Sequence, residues 1–361
     1  MVRNLLLVLL VVVSAPGLGY AQKYSNAFLE IGVGARAQGR GGAMVAQVQD
    51  VTAGYWNPAG LAAIDVPLQF GAMHAEWFAG VAKYDYLAVA KRLQTGTIGL
   101  TVIRLGIDKI PNTLRLIEPD GTINYDNITE FSAADYAVLV SYARPWRKHT
   151  RWSYGASSKI IRRSIGPFGG AWGFGFDVGV RYTQNNFSFG VVARDVTTTF
   201  NAWQFHLTEE EKNVFAQTGN EIPKNSIEIT RPSLHLGAGY TRDLSERWQV
   251  QGEVDLALTT DGRRNVLISA RPVSIAPRIG LAAGYRQIAF LRMGIGQFQR
   301  IKDDLEPDRT HLIVQPNLGI GLKFRRIRLD YAFNNLNKAA HPFYAHIFSL
   351  TLDFRPKDEE K

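Results

Sequence analysis

The body of the chain alternates apolar and polar residues in steps of two. In "WGFGFDVGVRY" (172–182) six bulky apolar or aromatic side chains share one face, and the other face holds glycines, Asp177 and Arg181. Similar alternation recurs at 234–240, 248–258, 279–286, 317–324, 327–333 and 348–354. Period-two alternation over seven or more residues predicts strands with one apolar face. The chain is therefore expected to be an all-β protein.

Fourteen strands are predicted between residues 68 and 354, and their connections are of two kinds. The strands are placed at 68–77, 84–92, 96–106, 134–144, 151–162, 173–182, 187–194, 233–242, 248–258, 277–286, 289–297, 315–324, 327–334 and 344–354. Connections after even-numbered strands are short, whereas 107–133, 195–232, 259–276 and 298–314 are long. One short side and one long side predict a transmembrane outer-membrane β-barrel of antiparallel strands. Segment 265–277 fits either a strand extension or a strand of its own, so the strand count near 259–286 stays open.

A soluble β-sandwich would also alternate, but two features favour a membrane barrel. The polar faces combine glycines with charges, as a curved wall around a polar lumen requires. The apolar faces end in aromatic residues, as the interfacial girdles of membrane barrels do. The charged residues expected to form a network in this lumen are Asp177, Arg181, Glu253, Asp255, Arg292 and Asp330.

The two ends of the chain differ from its body. Residues 1–21 have the basic start, apolar run and small residues of a cleaved export signal, and 355–361 form a charged tail. The chain contains no cysteine, and its formal net charge is +9. A positive net charge can indicate nucleic-acid binding, but a protein exported from the cytoplasm is not expected to bind nucleic acid. The basic runs 159–163 and 263–264 are expected at the outer rim, where they would meet lipopolysaccharide phosphates or simply be solvated.

Residues 22–67 precede the predicted barrel and are not part of its wall. They contain two short helix-like pieces and the stretch "AGYWNPAGLAA" (53–63). Asn57 is expected to cap a short helix that begins at Pro58, where the missing N–H costs nothing. A compact piece of this size would fit in the lumen as a plug, which we call the hatch.

The stretch "FLEIGVGARAQGRGGAMVA…DVTAGYWNPAGLA" resembles the opening of the PorV/PorQ family of Bacteroidetes outer-membrane proteins, which are similar to FadL fatty-acid transporters. The resemblance continues through 73–90, 131–144 and 193–203. It implies a fourteen-strand barrel with an N-terminal hatch, whose motif here would be Trp56, Asn57, Pro58, Ala59 and Gly60. The likeness to PorV is the stronger one and implies a role in type IX secretion. The implied partners are a SprA/Sov-like type IX translocon barrel, secreted cargo with a C-terminal signal domain, and a PorU-like surface attachment complex.

The long connections are the candidate docking surface for such partners. Apolar residues on exposed loops favour a partner over solvation, although loops that only close the barrel mouth would carry them too. Thr208 and Glu211 have the spacing of a helix capping box. The candidate partner-binding residues are Ile110, Leu114, Leu116, Ile117, Trp203, Phe205, Leu207 and Phe215.

Two other classes of function remain as alternatives. Uptake of hydrophobic small molecules, as in FadL, needs an apolar path, which the predicted lumen charges disfavour. An embedded enzyme lacks the usual signatures, since neither G-x-S-x-G nor H-E-x-x-H occurs and the histidines are scattered. No catalytic, cofactor-binding or metal-binding residue is therefore expected.

Overall fold

A computed structural model describes residues 25–78, 80–118, 120–147, 149–302, 310–334 and 344–355. The predicted export signal at 1–21 and all of the predicted tail beyond residue 355 lie outside these ranges.

Fourteen antiparallel strands close into a barrel, which confirms the predicted fold class. The closing pair is the first strand with the last, in register from Leu68↔Phe354 to Glu76↔His346. The wall strands are β1 (Leu68–Trp77), β2 (Ala82–Arg92), β3 (Thr97–Asn112), β4 (Thr129–Trp146), β5 (His149–Ile165), β6 (Gly169–Gln184), β7 (Phe187–Arg194), β10 (Ser233–Asp243), β11 (Trp248–Thr259), β12 (Ser274–Tyr285), β13 (Ala289–Lys302), β14 (Thr310–Phe324), β15 (Ile327–Asn334) and β16 (Ala345–Phe354).

The segment 195–232 is not a plain loop, and that part of the prediction is wrong. It holds β8 (Thr199–Phe205), a helix at Glu209–Gln217 and β9 (Ser226–Thr230). β8 pairs with the outer part of β6, above the end of β7, and β9 pairs with β8. These two strands continue the wall outward after a break at 195–198. The alternation of apolar and polar residues could not reveal β8 and β9, because these strands extend beyond the membrane and have no lipid-facing side that must be apolar.

The outer ends of other strands were also predicted too short, by five residues or more in β3, β4, β13 and β14, so the predicted loop 298–314 is also partly strand. β3 runs on to Asn112 and β4 begins at Thr129, so much of the predicted loop 107–133 is a hairpin standing above the wall. Both strands pass the membrane layer, and a β-bulge between Ile107 and Ile110 shifts their register there. Segment 265–277 contributes only the start of β12 at Ser274, so among the described residues it adds no strand of its own to the barrel.

Most of the outward face of the wall is apolar, and aromatic rings cluster at its periplasmic end. Ring centroids lie 4.7 Å apart in Trp152–Tyr182, 4.9 Å in Trp248–Tyr285 and 5.3 Å in Phe70–Phe354. Adjacent aromatic rings at strand ends are typical of interfacial girdles. The short connections of the chain are on this side.

Residues 25–67 pack inside the barrel. They form a 3₁₀ turn at Ala27–Glu30, α1 (Ala35–Gln38), α2 (Ala53–Trp56) and a 3₁₀ helix at Pro58–Ala63. Helices this short are not stable alone, so packing against the wall holds them. The outer helix at Glu209–Gln217 is α3, and Thr208 and Glu211 form the predicted capping box. Within the described ranges, no helix is long and apolar enough to cross a membrane.

Candidate functional site

The five residues of the hatch motif, Trp56 to Gly60, are buried at the centre of the hatch. The side chain of Asn57 accepts a hydrogen bond from the Ala59 amide at 3.1 Å, which confirms its predicted role as a cap. Its Nδ2 also donates to the Val45 carbonyl at 2.8 Å and to the carbonyl of Val180, on the wall strand β6, at 3.4 Å. Asn57 therefore joins three segments, of which only the cap was visible in the sequence.

Neighbouring motif residues hold the hatch together. The indole Nε1 of Trp56 donates to the Val33 carbonyl at 2.9 Å. Gly60 is required for close packing, because a Cβ at this position would lie 2.5 Å from the carbonyl oxygen of Val48. Ser153 on β5 donates from its hydroxyl to the Ala59 carbonyl at 3.0 Å. The motif thus fixes a short helix both to the rest of the hatch and to the wall.

Glycines on the inner face of the wall let the hatch backbone touch the strands. A Cβ at Gly294 would lie 2.0 Å from the carbonyl carbon of Arg40, and a Cβ at Gly190 would lie 2.3 Å from the carbonyl oxygen of Val45. Gly155 faces the backbone of Pro58 in the same way, at 2.7 Å. Backbone at such distances leaves no room for even a methyl group. The glycines of the alternating pattern therefore receive the hatch.

Two wall carboxylates bind the hatch backbone directly. Asp255 Oδ2 accepts from the amides of Met44 and Val45 at 2.8 and 3.0 Å, and Glu253 Oε1 accepts from the amide of Ala46 at 2.6 Å. Arg181 donates from Nε to the carbonyl of Ala46 at 2.7 Å. Charged groups that satisfy buried backbone amides are strong partners in a dry environment.

Arg40 lies at the centre of this arrangement and is fully buried. Its Nη2 donates to Gln47 Oε1 at 2.6 Å and lies 3.4 Å from Glu253 Oε2. Burial lowers the pKa of the Arg40 guanidinium, and the nearby Glu253 carboxylate opposes that shift. Sequence reasoning missed Arg40 because nothing in the pattern of the hatch distinguishes a lumen contact from a solvated side chain.

All six predicted lumen charges face inward and are at most 6% exposed. Arg292 pairs with Asp330 at 2.8 Å, and Asp177 pairs with Lys159 at 2.8 Å. The others act mainly on the hatch, as described above. Lys159 was expected at the outer rim with the run 159–163, and this expectation is wrong, because the side chain points into the lumen and also contacts Asp195 at 2.6 Å. Successive side chains of β5 alternate between the lumen and the lipid, so Lys159 faces the lumen and Arg162 faces the lipid.

A cavity of about 460 Å³ lies between the hatch and the outer loops. Its apolar lining includes Leu29, Ile31 and Leu139, and its polar lining includes Arg194 and Arg278. The Arg194 guanidinium lies 4.7 Å from the centroid of the Tyr55 ring and donates to the Tyr55 carbonyl at 3.2 Å. The Arg278 guanidinium lies 5.9 Å from the Trp56 ring. The cavity borders the break between β7 and β8 through Arg194 and Asp195.

The predicted partner-binding residues are spread over the outer part of the barrel. Ile110 lies in β3, Trp203 and Phe205 in β8 and Phe215 in α3, whereas Leu114, Leu116, Ile117 and Leu207 lie in loops. Ile117 is 64% exposed and the other seven are half-buried. Trp203 is used within the wall, where its indole donates to Glu228 at 3.1 Å. Ile123, Tyr125 and Ile227, which the prediction omitted, are 60%, 71% and 68% exposed.

Comparison with solved structures supports the fold. The Pseudomonas putida toluene transporter TodX superposes with a TM-score of 0.54 at 14% identity, covering 90% of this chain and 98% of that one. The Ralstonia pickettii toluene transporter TbuX gives 0.54 at 12% identity, covering 90% and 99%. The CymD monoaromatic hydrocarbon channel gives 0.52 at 13% identity, covering 90% and 98%. No protein-family model and no curated protein matches the sequence. The chain thus has the fold of an outer-membrane β-barrel similar to these channels.

Proposed function

We propose that the protein is a non-enzymatic, PorV-like component of type IX secretion that binds protein partners through its outer loops. The partners would be secreted cargo with a C-terminal signal domain, the translocon barrel, or both, and the cargo would pass on to surface attachment. The observation that carries this proposal is the apolar surface of the outer loops. Ile117, Ile123 and Tyr125 in the connection between β3 and β4, and Ile227 on the outer strand β9, are each at least 60% exposed. Ile117 and Ile123 face each other in a β-bridge, and adjacent apolar side chains in water mark an interaction surface.

The tight seat of the hatch supports a function at the surface more than one through the lumen. The hatch backbone contacts the wall at glycines around the barrel, and buried carboxylates hold its amides. Releasing it would break these hydrogen bonds and leave buried charges without partners, which is unfavourable. The hatch is therefore a fixed floor under the outer loops.

The test is co-purification of the tagged protein from its native outer membrane. The triple variant Ile117→Ser, Ile123→Ser, Tyr125→Ser removes apolar surface from one loop, and Asn220→Ser changes an exposed polar residue as a control. We expect the wild type and the control to retain a very large translocon barrel or proteins with a β-rich C-terminal domain, and the triple variant to lose them. Unchanged recovery with the triple variant, or recovery of none of these proteins with the wild type, would contradict the proposal.

A second candidate function is passage of a hydrophobic small molecule, as in FadL. The fold comparisons favour it, since the similar solved structures are toluene transporters and a monoaromatic hydrocarbon channel. The cavity of about 460 Å³ above the hatch is large enough for such a molecule. Its lining of arginine, lysine and aspartate side chains is unfavourable for a purely apolar ligand. Mass spectrometry of an organic extract of the purified protein tests this candidate, which requires a bound apolar compound.

A further inference from the structure

The lipid-facing side of β1–β3 carries a group of charged side chains. We call His74, Glu76, Lys83, Asp85, Arg104 and Asp108 the wall cluster. Along β1 the side chains of Phe70 and His74 are exposed, whereas those of Met73 and Ala75 are buried. The wall cluster therefore lies on the face that the other strands turn toward lipid.

The members of the wall cluster contact one another across the strands. His74 Nδ1 lies 2.7 Å from Asp85 Oδ1, and Arg104 Nη1 donates to Asp85 Oδ2 at 3.4 Å. Lys83 pairs with Asp108 at 3.5 Å. Glu76 lies 3.9 Å from His74 Nε2, and among the described residues no lysine or arginine lies within ion-pair distance of its carboxylate. The side chains of His74 and Glu76 are 50% and 56% exposed.

The strand register gives the depth of the wall cluster. In a wall tilted by about 40°, the direct partner on the next strand lies roughly one residue step higher or lower. Leu68 is the first residue of β1, at the periplasmic end. Following the paired residues from Leu68 across β2 to β6 leads to Tyr142 on β4 and Val178 on β6, which lie well above the periplasmic ends of their strands. Paired residues therefore lie progressively higher in the membrane from β1 to β6. The residues paired in succession from His74 end at Trp172 on β6, five strands away; between them lie Asp85, Arg104, Tyr136 and Arg162.

His74 consequently lies about five residue steps below Trp172, level with Asp177. The outward side chains of β6 are apolar or aromatic from Tyr182 up to Trp172, which corresponds to roughly 25 Å of height. Asp177 is the midpoint of that range. His74 and Asp85 therefore lie near the middle of the hydrocarbon layer, and Glu76 and Arg104 lie a few ångströms above it.

Acyl chains are a poor environment for these groups. Charged substitutions on the lipid face of a barrel are most destabilising at the bilayer midplane. Lipid headgroups lie at the edge of the layer, about 12 Å from its middle, and do not reach His74 or Asp85. A protein on the other side would remove these groups from the acyl chains.

We infer that the wall cluster is a contact surface for a second membrane-embedded protein of a different kind, which places a lysine or arginine beside Glu76. The charge of the wall cluster favours such a partner over a second copy of this chain. Lys83 and Arg104 already face carboxylates, so with a neutral imidazole on His74 the remaining charge is the negative one on Glu76. A second copy would bring the same surplus. The inference rests on depth and charge and goes beyond the proposed role of the outer loops.

Two apolar grooves below the wall cluster give such a partner room to pack. They have volumes of about 520 and 540 Å³ and meet at Ala72, whose small side chain leaves the wall recessed. One is lined by Leu322, Leu329 and Phe348, the other by Leu87, Leu100 and Leu352. Bulky side chains of a neighbouring wall could fill both grooves.

The absence of cysteine from the chain makes a site-specific test direct. Ala72→Cys is labelled with a benzophenone maleimide in native outer membranes and irradiated, and Leu256→Cys on the apolar face of β11 is the control site. Each cysteine variant is also combined with Glu76→Gln. As a control for that change, Ala72→Cys is combined with Glu246→Gln, which removes a carboxylate from an exposed turn. Adducts are identified by mass spectrometry of the crosslinked peptides.

We expect Ala72→Cys to couple to a transmembrane strand of one other protein and Leu256→Cys to couple to lipid. Glu76→Gln should reduce the protein adduct about tenfold or more, because an interfacial charge pair is lost, and Glu246→Gln should not change it. An adduct with lipid alone, an adduct of twice the chain mass, or a protein adduct insensitive to Glu76→Gln would each overturn the inference.

Discussion

Replacement of Gly294 by alanine should release the hatch while leaving the barrel closed. The new methyl group would lie 2.0 Å from the carbonyl carbon of Arg40 and 2.3 Å from the amide nitrogen of Gly41. Both obstacles are backbone atoms, so no side chain can rotate away. Overpacking of this kind costs about 1–3 kcal/mol, and the backbone contact places Gly294→Ala near the upper value. About 3 kcal/mol corresponds to a roughly hundredfold larger population of the released hatch.

Trypsin cleavage after Arg40 measures that population, because the residue is fully buried in the seated hatch. When opening is fast relative to cleavage, the rate follows the open fraction. We expect Gly294→Ala to be cut about a hundred times faster than the wild type, with unchanged heat-modifiable migration of the barrel. Gly252→Ala is the matched control, since its methyl group meets only a side-chain atom of Leu281 at 3.3 Å. Equal protection of the two variants would refute the reasoning that backbone contact at the wall seats the hatch.

Four further variants test other contacts of the hatch, two by the same trypsin assay and two by hydrogen exchange. Asn57→Ala removes the cap and two further hydrogen bonds and should raise cleavage about tenfold. Asn57→Asp keeps the cap and should raise the cleavage rate less than Asn57→Ala does. Equal cleavage rates for these two variants would show that the cap does not hold the hatch. Asp255→Ala leaves two buried amides without an acceptor and should cost about 2–3 kcal/mol, measurable as a faster hydrogen exchange of those amides. Burial raises the pKa of Asp50, but Arg36, Arg328 and the hydrogen bonds from Thr52 outweigh it and hold the pKa below its ordinary value of 3.8. The resulting stability is present above that value and is lost as the pH falls through the lower, folded pKa. Asp50→Asn should therefore remove this part of the acid dependence of hatch exchange, and an unchanged profile would contradict it.

The wall could be predicted from the sequence because lipid on one side and a polar lumen on the other enforce period-two alternation. This constraint ends where the wall leaves the membrane. The outer parts of β3 and β4 were therefore predicted too short, and β8 and β9 were read as loop. Strand parity placed Asp177, Arg181 and Asp255 on the inner face, since each lies within a clean alternating run.

The contacts of those residues could not be predicted from the sequence. Asp255 meets amides about 210 residues earlier in the chain, and no local pattern encodes that pairing. The same holds for the glycines, whose presence on the inner face was visible but whose fit to particular hatch atoms was not. The wall cluster was missed because a charge at an outward position resembles a strand end until the register gives its depth.

The seating of the hatch has a consequence for the order in which the protein folds. Its first segment hydrogen-bonds to the last strands, since the Ala35 amide donates to Ser349 Oγ across 314 residues and Asn334 donates to Gln38 across 296. The hatch precedes the barrel in the chain, yet its binding surface is complete only when β16 has paired with β1. Contacts at such separations make folding slow. The hatch can lock only into a finished barrel, so its protection from protease reports that assembly is complete.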